Sequence, residues 1–79
     1  MNIHIEFCEK WDYNPEFERV SNIIKQQYPN IKIKGNSIPP RSGSFEVTLD
    51  DKLIYSKFKT NSFPDKNEIL GWFNNFNHN

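Results

Sequence analysis

The chain has 79 residues, with ten basic and ten acidic side chains, seven Phe, three Tyr, two Trp and a single cysteine. A chain of that length makes one domain whose core contributes only ~3–5 kcal/mol of net stability unassisted, so the aromatics, each removing roughly 150–250 Å² from water, must carry much of the burial. Zero net charge argues against a general polyanion binder; no apolar run approaches the roughly 20 residues that span a bilayer, and Met1-Asn2-Ile3-His4-Ile5-Glu6 lacks both the basic and the apolar stretch of a signal peptide.

Ile3, Ile5 and Phe7 alternate with His4 and Glu6, which predicts a first strand buried on one face. Cys8 ends that strand, and Glu9-Lys10-Trp11-Asp12-Tyr13 follows as a loop. Asn14-Pro15-Glu16 reads as N-cap, first helical residue and a carboxylate near the positive end of the helix dipole. Phe17, Val20, Ile23, Ile24 and Tyr28 share one stripe of a helix that runs to about Tyr28, where Pro29-Asn30 stops it. Ile31 and Ile33 alternate with Lys32 and Lys34 in a second strand, after a helix long enough for a right-handed parallel crossover.

Gly35 through Gly43, with Ser37, Pro39, Pro40 and Ser42, reads as the one long loop. Phe45, Val47 and Leu49 then alternate with Glu46 and Thr48, Asp50-Asp51 turns, and Leu53 and Tyr55 begin the return strand of a hairpin. After Pro64, Asp65-x-x-Glu68 resembles a capping box that opens a last helix, with Ile69, Leu70, Trp72, Phe73 and Phe76 inward and Gly71 weakening it slightly. Residues 77–79 read as a frayed tail. The order is β-α-β-β-β-α, a single domain over 1–79. Every strand alternates, so both helices should cover one face and leave His4, Glu6, Lys32, Lys34, Glu46 and Thr48 on an open, wet one.

Charge is segregated along the chain. Glu6, Glu9, Asp12, Glu16 and Glu18 face Lys10 alone in 1–18, whereas 19–45 holds Arg19, Lys25, Lys32, Lys34 and Arg41 and no acid. The basic stretch is either a patch for nucleic acid or an acidic partner, or the neighbour in space that neutralises the first stretch; the balanced total favours the second. His4 and Cys8 share a side of the strand but stand about 13 Å apart at ~3.3 Å per residue, and His78 lies in the tail, so no metal site is expected. No phosphate-loop motif and no Ser, His and Asp arrangement stands out.

Phe7-Cys8-Glu9-Lys10-Trp11-Asp12-Tyr13, Gly35 through Pro39, Ser42-Gly43-Ser44-Phe45-Glu46-Val47, Lys52-Leu53-Ile54-Tyr55-Ser56-Lys57 and Phe63-Pro64-Asp65 together resemble the selenoprotein W (Rdx) family. These small thioredoxin-like proteins carry Cys-x-x-Cys or Cys-x-x-selenocysteine in the first loop. The expected fold is therefore α/β: a thioredoxin-like two-layer domain with a four-stranded mixed sheet in the order 2-1-3-4 and both helices on one face. By resemblance, Cys8 is the first redox cysteine and Tyr13 the aromatic two positions after the second. Trp11 stands where the family has its second cysteine or selenocysteine. Pro39 or Pro40 falls in the loop where thioredoxin-like proteins often hold a cis-proline beside the active site.

The resemblance also implies an antioxidant role and protein partners such as 14-3-3 proteins. Without a second thiol no dithiol reductase is expected, since a mixed disulfide at Cys8 has no internal thiol to release it. Two functions stay open. One is a thiol-linked or glutathione-linked redox role reduced to Cys8, although Glu6, Glu9 and Asp12 make an acidic setting for a nucleophile and argue for a sluggish one. The other is a non-enzymatic module that binds a protein partner through the Cys8 to Tyr13 loop, with Trp11 as either anchor or core-edge filler and Tyr13, Pro39 and Pro40 beside it. No cofactor is expected, glutathione entering only as a thiol partner, and neither nucleic acid nor membrane is expected as a partner. One unpaired cysteine suits the reducing cytoplasm. The oligomeric state is left open.

Overall fold

The computed structural model describes residues 1–74. In chain order the elements are β1 (Asn2–Phe7), α1 (Asn14–Gln27), β2 (Lys32–Gly35), β3 (Phe45–Leu49), β4 (Lys52–Ser56), a one-turn α2 (Lys57–Thr60) and α3 (Lys66–Gly71). One sheet has the expected order, β2-β1-β3-β4. β1 and β2 run parallel, as the intervening α1 allows, and the β1–β3 and β3–β4 pairs are antiparallel.

The alternation in β1 sends Ile3, Ile5 and Phe7 to one face, and the antiparallel register sets Leu49, Val47 and Phe45 opposite them. Val20 and Ile24 of α1, Tyr55 of β4, and Ile69 and Phe73 at the C-terminal end close over this face to form the core. Both α1 and α3 thus lie on the side the alternation selects. Phe7 stacks on Phe17 of α1 with centroids 4.6 Å apart. Gly35 makes that stack possible, because a Cβ there would lie 2.6 Å from Cε1 of Phe7. It is the last residue of β2 rather than the first of the loop.

Four local features depart from the sequence pattern, each for a physical reason. Tyr13, not Asn14, is the N-cap of α1, and no side chain caps that end. Tyr13 is fixed there by its own backbone, which donates to the Cys8 carbonyl at 3.0 Å and accepts from Phe17 N–H at 3.0 Å, leaving Asn14 inside the first turn with Pro15. Glu46, expected on the wet face, is buried at 6% exposure. Its carboxylate accepts from the Ser56 hydroxyl and from the backbone N–H of Lys57 at 2.8 Å and of Phe58 at 3.4 Å. It thereby satisfies orphan donors at the start of α2, a helix too short to show a periodicity.

A register shift between Val47 and Thr48 pairs Val47 with Tyr55 but Thr48 with Leu53, so Ile54 is the extra residue of a bulge. Tyr55 is consequently buried while Leu53 turns outward. In α3 the Asp65 carboxylate accepts from Glu68 N–H at 2.8 Å, the expected cap. Ile69 and Phe73 are buried and Leu70 and Trp72 half-buried, and the helix ends at Gly71. Phe76, His78 and the tail at 77–79 lie outside the described residues. Among those described, no helix is long and apolar enough to cross a membrane.

The segment 36–44 crosses the outer face under three restraints. Asn36 donates its backbone N–H to Ile5 O at 3.1 Å, and its side-chain amide both accepts from Phe7 N–H and donates to Phe7 O at 2.9 Å. Ser37 N–H donates to Nε2 of His4 at 3.1 Å. Arg41 gives its backbone N–H, Nε and Nη2 to the Glu6 carboxylate at 2.7, 3.0 and 2.8 Å.

Candidate functional site

Cys8 is the first residue beyond β1, and its backbone is held on both sides. Its N–H donates to Ser44 O at 2.9 Å, extending the β1–β3 pairing by one step, and its carbonyl accepts from Tyr13 N–H at 3.0 Å. Between them Asp12 N–H donates to Glu9 O at 3.0 Å, with Asp12 in the left-handed region at φ 56°. Residues 9–12 are therefore a tight turn closed at its base by Cys8 and Tyr13. The thiol is enclosed, at 2% exposure, and Trp11 at the tip of the turn is 56% exposed.

Trp11 rests against Gly43, where a Cβ would come within 3.0 Å of its Cζ3 atom. Gly43 has φ +75°, so both its backbone and the indole ring favour glycine at that position. Trp11 also meets Tyr13 edge-on at 6.2 Å, Tyr13 meets Phe63 edge-on at 4.8 Å, and Phe63 meets the fully buried Phe45 edge-on at 5.4 Å. An unbroken series of aromatic contacts thus runs from the core to the turn that follows the cysteine. The Lys57 ammonium lies 5.5 Å from the centroids of both Tyr13 and Phe63, in cation–π range.

The structure brings Cys8, Trp11 and Tyr13 together. Pro39 is exposed and Pro40 half-buried in the 36–44 segment, and all described peptide bonds are trans. In that segment Gly43 lies against Trp11 and Ser44 accepts from the Cys8 N–H. Of the three acids flanking Cys8 in sequence, Glu6 is neutralised by Arg41, which holds its carboxyl below its ordinary value chiefly through side-chain hydrogen bonding. Glu9 and Asp12 are exposed. Counting charges near Cys8 along the chain missed Arg41, and reading motifs one by one missed Lys57 and Phe63. The Ser-Gly-Ser and Phe-Pro segments were visible as motifs, but their contact with the turn was not. His4 accepts from Ser37, and among the described residues no three His, Cys, Asp or Glu side chains are grouped to hold a metal.

Chemically, the arrangement offers one sheltered thiol at the base of a turn whose tip carries an exposed indole, backed by the half-buried Tyr13, Phe63 and Lys57. Selenoprotein W of Danio rerio is 28% identical over 71 residues, a match covering 89% of this chain and 83% of that protein. Migration and invasion enhancer 1 of Bos taurus is 26% identical over 70 residues, again covering 89% of this chain but 59% of that longer protein. Among solved structures, a selenoprotein W-related protein from Vibrio cholerae aligns with a TM-score of 0.82 at 15% identity, covering 95% of this chain and 94% of its own. A protein from Bordetella parapertussis aligns with a TM-score of 0.83 at 10% identity, covering 95% of both chains. These likenesses bear out the thioredoxin-like α/β fold. Since the Rdx family profile matches residues 2–74, from the start of β1 through the residues that close the core, this selenoprotein W-like chain belongs to the Rdx family.

Proposed function

We propose that the chain carries a selenoprotein W-like redox role reduced to one thiol, Cys8, acting in the reducing cytoplasm with glutathione as its thiol partner. The observation that supports this reading is the station of Cys8, at the C-terminal end of β1 in a turn whose closing bond leads directly into α1. In the reaction the Cys8 sulfur, as thiolate, attacks oxidised glutathione. A new S–S bond joins it to one glutathionyl group, and the other leaves as glutathione thiolate. With Trp11 at the fourth position of the motif, release falls to a second glutathione thiolate, which attacks the glutathionyl sulfur of the mixed disulfide, re-forming oxidised glutathione and returning Cys8 as the thiolate, so the two steps are a reversible exchange whose direction follows the ratio of reduced to oxidised glutathione. The shelter around the thiol, only 2% exposed, makes the first step slow, because the fold around Cys8 must open to admit the disulfide.

Mass spectrometry after incubation with oxidised glutathione tests this. The expected result is a single adduct on the folded chain, absent in Cys8→Ser, removed by reduced glutathione, and accompanied by no insulin reduction. An adduct that forms only in denaturant would overturn the reading.

The exposure of Trp11 favours a second reading, a non-enzymatic module that binds a protein partner on the Cys8 to Tyr13 turn. The same variants separate the two. In a module, Trp11→Ala weakens partner capture by ~2 kcal/mol or more, as expected of a hot-spot aromatic, and Cys8→Ser leaves capture unchanged.

A further inference from the structure

The pairing of β1 with β3 fixes the side of the sheet on which the Cys8 thiol lies. Phe7 is opposite Phe45, both turned to the core, and the next step sets Cys8 opposite Ser44, whose carbonyl accepts the Cys8 N–H at 2.9 Å. Side chains alternate along a strand and directly opposed residues share a face, so Cys8 and Ser44 both turn to the outer side, which the 36–44 segment crosses. The Ser44 hydroxyl agrees with that placement, since it helps to hold the carboxyl of the outward-facing Glu6 low, the least of the influences that do so. Ser44 is completely buried, and its Oγ meets no partner in hydrogen-bond geometry. An unmet donor thus shares the closed space on the outer side with the sulfur. Above it Arg41 and Ser42 are exposed, whereas Gly43, Ser44 and Cys8 are buried.

We propose that the stretch from Ile38 to Gly43 is the cover of the Cys8 thiol and that Arg41, held to Glu6, is its latch, so that this pair sets how readily a disulfide reaches the sulfur. The inference rests on the redox reading for its purpose, while the cover itself concerns only access. Among the described residues from Ile38 to Gly43, Arg41 alone makes hydrogen bonds to the strands, and all three go to the Glu6 carboxylate. Pro39 and Pro40 have no N–H to offer. The ends of the stretch are held separately, by the bonds of Asn36 to Ile5 and Phe7 and by the Cys8 N–H on Ser44 O. Releasing Arg41 therefore frees the middle while the sheet stays paired, a local opening rather than unfolding. The arginine side chain is 65% exposed, so the latch is a surface ion pair, weak enough to open readily. Once the cover lifts, the Cys8 thiolate meets the incoming disulfide with the Ser44 hydroxyl on the same side as a donor to the charged sulfur.

Labelling of the folded full chain by 4,4′-dithiodipyridine, an uncharged disulfide, tests the proposal. The Cys8 thiolate attacks one sulfur, a mixed disulfide forms, and 4-thiopyridone leaves and is read by its absorbance. Arg41→Gln and Glu6→Gln should each label about three- to fivefold faster than wild type, the change that loss of a weak surface pair allows. Electrostatics alone gives Arg41→Gln the opposite sign, since removing the cation leaves Glu6 unpaired near the sulfur and disfavours the thiolate. Arg19→Gln, which loses the other salt bridge among the described residues, controls for general destabilisation and should label like wild type. The wild-type rate should stay nearly flat in low urea, because a local opening exposes little surface. Latch variants that label no faster than wild type, an equal rise in Arg19→Gln, or a urea slope matching that of global unfolding would each overturn the proposal. If labelling responds as expected but the folded chain takes up no glutathione, the cover stands and the redox reading falls. If glutathione adds while the latch variants label like wild type, the reverse holds.

Discussion

Gly43 shows how one residue sets the geometry of the candidate site. It holds a left-handed backbone at φ +75° and offers the only side of itself that a Cβ would occupy to the Trp11 ring. Gly43→Ala should cost about 1–2 kcal/mol in left-handed strain and displace the indole from its seat. Chemical denaturation measures the first effect, and acrylamide quenching of tryptophan fluorescence, expected to rise, measures the second. Unchanged quenching would mean that the ring is not held by this contact. Position 43 belongs to a Ser-Gly-Ser stretch that reads as a loop, and nothing local in that stretch identifies the aromatic above it. Cys8, by contrast, was legible from its place after an alternating strand, and Tyr13 from the resemblance to the family.

Among elements, the segment 36–44 owes its path to two side chains of β1. Arg41 is spread over the Glu6 carboxylate by three hydrogen bonds, and its guanidinium carbon lies 5.0 Å from the centroid of the Phe58 ring. Because Arg41 lowers the pKa of Glu6 in the folded state, the pair stabilises the fold above the unfolded-state value near 4.5, and that contribution is lost as pH falls through the lower folded-state value. Arg41→Gln should therefore be less stable than wild type at pH 7, by no more than about 1 kcal/mol given how exposed the arginine is. The difference should vanish in acid, and urea melts across that pH range give the comparison. A gap that widened in acid would contradict the assigned sign.

The elements that sequence made legible, β1, α1, β2, β3 and α3, each carry their own periodicity or cap. α2 and the bulge at Ile54 do not. One depends on a carboxylate sent across from β3 and the other on a pairing between strands, and neither relation is written in consecutive residues. The same holds for Glu46, whose polar place in an alternating strand pointed outward correctly but could not show what would cover it.

For the whole molecule, the small size makes the C-terminal closure decisive. Ile69 and Phe73 are completely buried, and Phe73 lies 4.7 Å from Tyr28 at the end of α1. Phe73→Ala should cost about 3–5 kcal/mol, which equals the ~3–5 kcal/mol of net stability a core of this size supplies. The variant is expected to be largely unfolded at 25 °C by circular dichroism, and a cooperative melt near that of wild type would refute the assignment of Phe73 to the core. The overall topology was legible because an alternating strand, a crossover helix and a second alternating strand leave few ways to pair. The aromatic path from Phe45 to Trp11 was not, since it joins three segments distant in sequence.

Asn36 has a consequence for which letters this chain can carry. Its backbone lies at φ 38°, and its one side chain both accepts from and donates to the same residue, Phe7. Aspartate tolerates that backbone but supplies no donor, glutamine reaches one carbon too far, and glycine has nothing to offer Phe7. Position 36, which performs no chemistry, therefore admits a narrower alphabet than position 11, where the side chain stands mostly in water.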